Sequence, residues 1–340
     1  MLTEDVSIAI LGIILSAIAI LGNLLVIFII TRHKSMQTAM NYLLANLAVM
    51  DAMTGLFTIP NVIMERTFSG DRTLLAVIVN STSKSTGDIL CKVKGTVWTS
   101  SAGSPAFLVF IAFERYMAVI HPFSRRGGIT KRRLYWITPC CYILSLLNAT
   151  PFFIMVEYQP DLEKCYESPS SAIDARYYSL VCFSLLFIIP SIVMLFLYTS
   201  VIRTIKKRQR LHSRDISCFT TARIKANRDV LRVVFVITIL FIVCWGFIYN
   251  IYFIGHFFDD ITLWNSFYEC SILAACLNSA ANPVLYCYFI KGFRDNFLDF
   301  FRCWCCETKP SSVSVNLNDN AASCDANTVT LVNIRPQCQT

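Results

Sequence analysis

Charge is scarce in this sequence. Only 15% of its 340 residues are Asp, Glu, Lys or Arg, against about a quarter in ordinary soluble domains. So little charge cannot clothe a water-facing globule of this length, and a soluble all-helical domain is excluded. Histidine is scarcer still. The four are His33, His121, His212 and His256, all at or beyond the edges of apolar runs. Metal-dependent or serine-based hydrolysis within a bundle needs histidines at depth, so an intramembrane enzyme is excluded too. No internal repeat pairs one half with the other, which removes the inverted-repeat logic of many transporters. A cleavable leader is also missing, since only about five polar residues precede the first apolar run. That run is expected to act as its own signal anchor.

What is plentiful is apolar surface: 55% of residues are hydrophobic and the mean hydropathy is +0.54. Seven runs stand out, at 6–31, 39–64, 93–120, 134–155, 177–202, 229–257 and 264–289. Each is long enough to cross about 30 Å of hydrocarbon. The expected fold is an all-α membrane protein: residues 1–302 form a seven-transmembrane helix bundle with a short amphipathic eighth helix from Lys291 to Arg302. Residues 303–340, rich in Ser, Asn and Thr, read as a disordered tail.

Basic residues orient the bundle. Arg32 and Lys34 follow the first run; Arg125, Arg126, Lys131, Arg132 and Arg133 follow the third. Lys206, Lys207, Arg208, Arg210, Arg214, Arg223, Lys225 and Arg228 follow the fifth. The intervening gaps are acidic, with Asp71, Asp88, Glu157, Asp161, Glu163, Glu167, Asp174, Asp259 and Asp260. The expectation is a multi-pass plasma-membrane protein with its N-terminus outside and its C-terminus in the cytosol. The net charge of +8 is then a topology signal and implies no nucleic-acid partner.

Topology also sorts the 15 cysteines. Cys91 and Cys165 fall in the outer, oxidising gaps, where a disulfide between them is the simple inference. Cys303, Cys305 and Cys306 follow the amphipathic stretch, a setting for palmitoylation. A zinc site would want a further ligand at suitable spacing, and no histidine is near. Asn80-Ser-Thr82 is a glycosylation sequon in an outer gap; Asn148-Ala-Thr150 matches as well, but sits too close to the bilayer.

Asp51 lies halfway along the second run, where a charge costs about 2.5–3.5 kcal/mol even on a lenient insertion scale. It must face a partner, a cavity or the bundle interior. Asn23, Ser104, Asn278, Ser279 and Asn282 lie at similar depth on three other helices. Asn278, Asn282 and Tyr286 recur every four residues and share one face. Pro283 among them costs about 3 kcal/mol in a helix interior. The stripe is expected to supply partners for Asp51, and the proline to free backbone groups that water can satisfy. A second cluster, Glu114-Arg115-Tyr116 with His121-Pro122, marks the cytosolic edge, and Tyr198 and Tyr286 lie at its depth. Alone, such a charge pair is as easily a membrane anchor.

Together these residues resemble the rhodopsin-like (class A) G-protein-coupled receptors across all seven runs. The resemblance rests on Gly22-Asn23, Leu47-Ala48-Val49-Met50-Asp51, Glu114-Arg115-Tyr116, Trp136, Pro190 with Tyr198, Phe241 with Cys244-Trp245, and Asn282-Pro283-Val-Leu-Tyr286. Each motif is weak alone; their order is specific. The resemblance implies a receptor, not an enzyme, coupling an extracellular ligand to a heterotrimeric G protein. It implies no cofactor beyond an allosteric sodium ion held by Asp51 with Ser104, Asn278, Ser279 and Asn282. Glu114 would restrain Arg115 at rest. Trp245 and Phe241 would pass ligand contact to an outward swing of the sixth helix, and Tyr198, Tyr286 and Pro283 would complete the switch. Ser311, Ser312, Ser314, Thr328 and Thr330 offer sites to receptor kinases and arrestin; membrane lipids are the remaining partner.

The sequence departs from the family pattern in three places. Phe247 stands where a sixth-helix proline is usual, so the kink lacks its cause. Asn227 replaces a common acidic residue, which leaves the resting state loosely held and predicts raised basal signalling. Cys91 is one residue closer to Arg115 than usual, and Gly103 and Pro105 are expected to distort the third helix. As for the ligand, Thr96-Val97-Trp98 offers no aspartate for an amine, and Cys276 replaces the lysine of visual opsins. The expected pocket comprises Trp98, Ser101, Cys182, Trp245, Tyr249, Tyr252, Glu269 and Ile272. Acidic outer loops favour a short basic peptide by steering. A small-molecule ligand or a receptor active without one stays open, as does, from another class, a channel or transporter.

Overall fold

The computed structural model describes residues 2–64, 67–69, 72–121, 129–167, 174–211, 218–258 and 261–306. Among them seven helices are long and apolar enough to span a membrane: Ser7–Arg32, Ala39–Ile63, Lys84–Ile120, Lys131–Met155, Ala175–Lys207, Val230–Phe257 and Phe267–Phe289. They pack as one bundle that is inside-out relative to a soluble protein. Leu21, Leu56, Leu146, Phe196, Val243 and Val284 point outward and are more than half exposed, while Asn23, Asp51, Ser104 and Asn282 are buried. That arrangement suits hydrocarbon outside and polar pairing within.

Local chemistry sets the helix ends. Thr38 and Thr130 cap the second and fourth helices through their hydroxyls, accepting from Asn41 N and Arg133 N. An eighth helix, Lys291–Cys306, follows the seventh. It buries Phe293 against Tyr286, with ring centroids 5.6 Å apart, and turns Lys291, Arg294 and Asp295 to solvent. The tail from 307 onward lies outside the described residues, as does the side-chain placement of Cys303, Cys305 and Cys306.

The third helix begins at Lys84, capped by Ser83, nine residues before the expected start at 93. Its first turns are polar and extend past the apolar slab. They carry Cys91, bonded to Cys165 with Cα atoms 5.5 Å apart. Cys165 sits in an antiparallel hairpin, Val156–Gln159 with Lys164–Glu167. That hairpin is pinned to the helix by Tyr158 N donating to Asp88 Oδ1 (2.8 Å), and Tyr158 lies over Gly87, where a Cβ would meet its ring at 2.7 Å. A second link runs from Thr73 Oγ to the Glu163 carbonyl (3.2 Å). Thr73 also caps a short helix, Leu74–Ser81, which ends beside exposed Asn80.

The expected distortion of the third helix is present, but not at Gly103 or Pro105. Both lie inside regular α-helix, Thr99–Ile120. The break is a 3-10 segment at Thr96–Trp98. Such a helix rises about 2.0 Å per residue rather than 1.5 Å, so three residues gain about 1.5 Å, one α-helical residue's worth. This makes good the short spacing from Cys91 to Arg115. Thr99, Ser100 and Ser101 hydroxyls each donate to the carbonyl three residues back, Thr96, Val97 and Trp98. The run of small hydroxylated residues thus satisfies the backbone of the tight segment.

Candidate functional site

Asp51 is fully buried at the centre of the bundle. Its carboxylate accepts from Ser279 Oγ (2.8 Å) and Asn282 Nδ2 (2.7 Å) on the seventh helix. Ser104 and Asn278, expected in the same cluster, are buried but not bonded to Asp51. Ser104 Oγ, Asn278 Oδ1 and Asn282 Oδ1 make no hydrogen bond. With Asn23 Oδ1, also unbonded, the polar layer holds one carboxylate and four unengaged oxygens. Among the described residues no three His, Cys, Asp or Glu side chains gather as metal ligands. A buried carboxylate in a layer that also holds unbonded hydroxyl and amide oxygens has the chemistry of a hard-cation site and not of a transition-metal one.

Pro283 explains a further contact. Lacking an N–H, it leaves the carbonyl of Ser279, four residues back, without its helical donor. Asn23 Nδ2 donates to that carbonyl at 3.1 Å and to Ala19 O at 2.8 Å. The expectation that water would serve this group is corrected: the first helix supplies an amide. Gly22 lets the two helices meet, since a Cβ there would stand 2.9 Å from the Pro283 ring.

Toward the end remote from the disulfide, Glu114 and Arg115 pair side by side at the last turns of the third helix. Arg115 Nε donates to Glu114 Oε2 at 2.8 Å and Nη2 to the same oxygen. Both are mostly shielded, each 14% exposed. Tyr116 stacks edge-on to His121 at 6.2 Å. Tyr198 and Tyr286 are buried inward at this level, Tyr198 edge-on to Phe235 at 6.0 Å. Pro122 lies outside the described residues, and nothing of Asn227's side chain is described.

At the disulfide end a small cavity of about 10 Å³ is lined by Trp98, Ser101, Asn148, Phe152, Tyr178, Cys182, Tyr249 and Tyr252. Five of the eight expected pocket residues meet here. Three do not: Trp245 lies beneath, its ring tilted against Tyr249 at 5.7 Å, while Ile272 is buried elsewhere on the seventh helix and half-buried Glu269 lies off the lining. Three lining residues escaped sequence reasoning: Asn148, Phe152 and Tyr178. Asn148 is a junction. Its Nδ2 donates to Ser101 Oγ (3.0 Å), its Oδ1 accepts from Cys182 Sγ (3.5 Å), and its carbonyl accepts from the Tyr178 hydroxyl (2.7 Å). An asparagine two turns from the end of an apolar run, in the least buried of the seven spans, was the available signal. No lining side chain carries charge.

Below the cavity Phe241 and Trp245 are buried on the sixth helix, with Phe187 of the fifth 6.5 Å from Phe241 and stacked on Tyr249 at 6.0 Å. Phe187 lies in a π-helical turn, Cys182–Ile188, that ends just before Pro190. An aromatic column thus joins the cavity to the middle of the bundle.

Sequence comparison agrees with this layout. Residues 22–286 match the model of the family described as 7 transmembrane receptor (rhodopsin family). The rat pyroglutamylated RF-amide peptide receptor is 28% identical over 332 residues, which covers 90% of this chain and 72% of that receptor. A QRFP-like peptide receptor of Branchiostoma floridae is 25% identical over 311 residues, 88% and 78% of the two chains. The rat neuromedin-K receptor is 28% identical over 302 residues, 85% of this chain and 62% of the relative. The chain belongs to the rhodopsin family of seven-transmembrane receptors: it is a multi-pass plasma-membrane receptor of the G-protein-coupled kind, and not an enzyme.

Proposed function

We propose that this receptor binds a short basic peptide at its disulfide end, which faces outside, and activates a heterotrimeric G protein at the cytosolic end. The observation that carries this reading is an uncharged aromatic cavity beneath a charged rim, in which exposed acids stand among Lys164 and Arg176. Glu157, Asp161 and Asp174 are exposed around the hairpin and the start of the fifth helix. They would gather cations by steering. The cavity is far smaller than the 300–1,000 Å³ typical of drug-sized sites, so a ligand side chain enters by parting its lining residues. The relatives named for peptides support the same class.

Activation is a two-state equilibrium, which a ligand shifts only by its difference in affinity between the states. In the resting state Glu114 holds Arg115, and Asp51 with Ser104, Asn278, Ser279 and Asn282 holds a sodium ion; the unengaged oxygens of that cluster support the ion. When bound, sodium supplies positive charge that matches the Asp51 carboxylate. Ligand contact reaches Trp245 and Phe241 through Tyr249, and the sixth helix swings outward. Arg115 is then released, Tyr198 and Tyr286 turn into the opened cleft, and the bend at Pro283 lets the seventh helix follow. The tail presents Ser and Thr to receptor kinases and arrestin. Asn80 carries a glycan outside; Cys303, Cys305 and Cys306 carry palmitate at the inner leaflet.

A panel of synthetic peptides graded from net charge −3 to +3, read by G-protein dissociation in cells, tests the proposal. Basic members are expected to activate. Replacing Glu157, Asp161 and Asp174 together by Asn should cut their potency about tenfold or more, within the range of steering effects. Equal activation by acidic members, or unchanged potency in the triple variant, overturns the basic-peptide reading.

A further inference from the structure

Two prolines of this bundle, Pro283 and Pro105, share a feature on the sites already described. Pro283 frees the carbonyl of Ser279, and a side chain from another helix, Asn23, takes it. Pro105 in the third helix repeats the device. It has no N–H to donate to the carbonyl of Ser101 four residues back. The Tyr249 hydroxyl of the sixth helix donates to that carbonyl at 2.8 Å, fully within the core. Pro105 was expected to distort its helix; instead it exposes an acceptor toward the sixth helix.

Tyr249 is held from two further sides. Trp245 packs against it one turn below at 5.7 Å with the rings tilted by 32°, and Phe187 stacks at 6.0 Å with planes 27° apart. Phe187 itself fills a notch at Gly246, where a Cβ would meet its Cζ at 2.8 Å. The hydroxyl is consequently fixed in direction, and ring and carbonyl both line the cavity. We infer that the Pro105–Ser101–Tyr249 contact is a latch: the freed carbonyl holds the sixth helix inward through the Tyr249 hydroxyl, and opening of that hydrogen bond releases the helix toward its signalling position. Tyr249 is here a positioning residue. The latch replaces, in this chain, part of the control that the absent proline at Phe247 would give. It rests on the receptor reading only for the consequence of helix movement.

The test separates the latch from general damage to the fold. Tyr249→Phe keeps the ring and removes the donor. The full-length receptor is scored for ligand-free G-protein dissociation across the Gα classes at matched surface expression. It is also scored by 19F NMR of trifluoromethyl-phenylalanine placed at Phe235, whose ring touches Tyr198. Loss of one neutral hydrogen bond should raise the outward population about three- to tenfold. Para-aminophenylalanine at position 249, which keeps a donor, should restore the wild-type level. Pro105→Ala returns an N–H to the Ser101 carbonyl, so adding Tyr249→Phe to it should change little. Should Tyr249→Phe reach the surface poorly, the amino analogue and Pro105→Ala carry the comparison alone. A Tyr249→Phe spectrum identical to wild type, or an equal rise with and without Pro105, overturns the latch. A shifted spectrum with silent Gα assays upholds the latch and counts against G-protein coupling instead.

Discussion

The carboxylate at Asp51 gives a prediction whose sign follows from two opposed terms. Asp51→Asn preserves shape but not charge. The new amide oxygen accepts from Asn282 and its N–H donates to the Ser279 hydroxyl, so the contacts at 2.8 and 2.7 Å remain but lose their charge-assisted part. A hydrogen bond to a charged group contributes about 1.5–3 kcal/mol. Against this, burial of a charge at mid-membrane costs about 2.5–3.5 kcal/mol on the insertion scale. The terms nearly cancel, so in sodium-free buffer the variant should melt within about 1 kcal/mol of wild type. Sodium separates them. An ion bound only by the folded wild type adds RT ln(1 + [Na]/Kd), about 1.4 kcal/mol at ten times Kd, and nothing to a site without its carboxylate. The assay is thermal unfolding of purified receptor in sodium chloride against choline chloride at equal ionic strength. If wild type melts alike in both salts, or the Asn variant keeps a sodium shift, the oxygen cluster is not an ion site.

Three further outcomes follow from single contacts. Asn23→Ala leaves the Ser279 carbonyl beside Pro283 without a donor, and should lower the free energy of unfolding by about 1–3 kcal/mol, measured by denaturant titration in micelles. Cys91→Ser removes a cross-link spanning 74 residues; chain entropy sets its worth near 4.4 kcal/mol, so surface expression by flow cytometry should fall steeply. Gly246→Ala forces a methyl to within 2.8 Å of Phe187 Cζ and should cost about 1–3 kcal/mol as overpacking, with Phe187→Leu added restoring most of the melting temperature.

Much of the fold was legible because a membrane imposes strong constraints. Apolar length and the scarcity of charge identify all seven helices, and compartment chemistry pairs Cys91 with Cys165. Buried charge made Asp51 conspicuous; its partner Asn282 followed from helical spacing and Ser279 from depth, while Asn278 of the same stripe is not bonded to it. The start of the third helix was misplaced because its first turns are polar and held by a disulfide and hairpin, a tertiary cause invisible to hydropathy. The cavity was half legible: Trp98, Ser101, Cys182, Tyr249 and Tyr252 were recognisable, yet Trp245, Ile272 and Glu269 fall outside the lining. Rotation about a helix axis decides such cases, and seven helices whose apolar residues run almost all round carry little information on rotation.

The prolines illustrate where spacing ends and packing begins. Each identifies, from sequence alone, one carbonyl that its helix cannot serve: Ser279 for Pro283 and Ser101 for Pro105. What the sequence leaves open is the donor, because that depends on which neighbouring helix presents a polar side chain at the same depth. In hydrocarbon the choice is narrow, since an unsatisfied buried carbonyl costs about 1–3 kcal/mol and bulk water is absent. An amide from the first helix and a phenol from the sixth meet the two needs. The first joins helices that both pack around the buried acid; the second joins the cavity wall to the helix that carries Trp245. Pro283 and Pro105 therefore act less as breakers of their own helices than as places where another helix attaches.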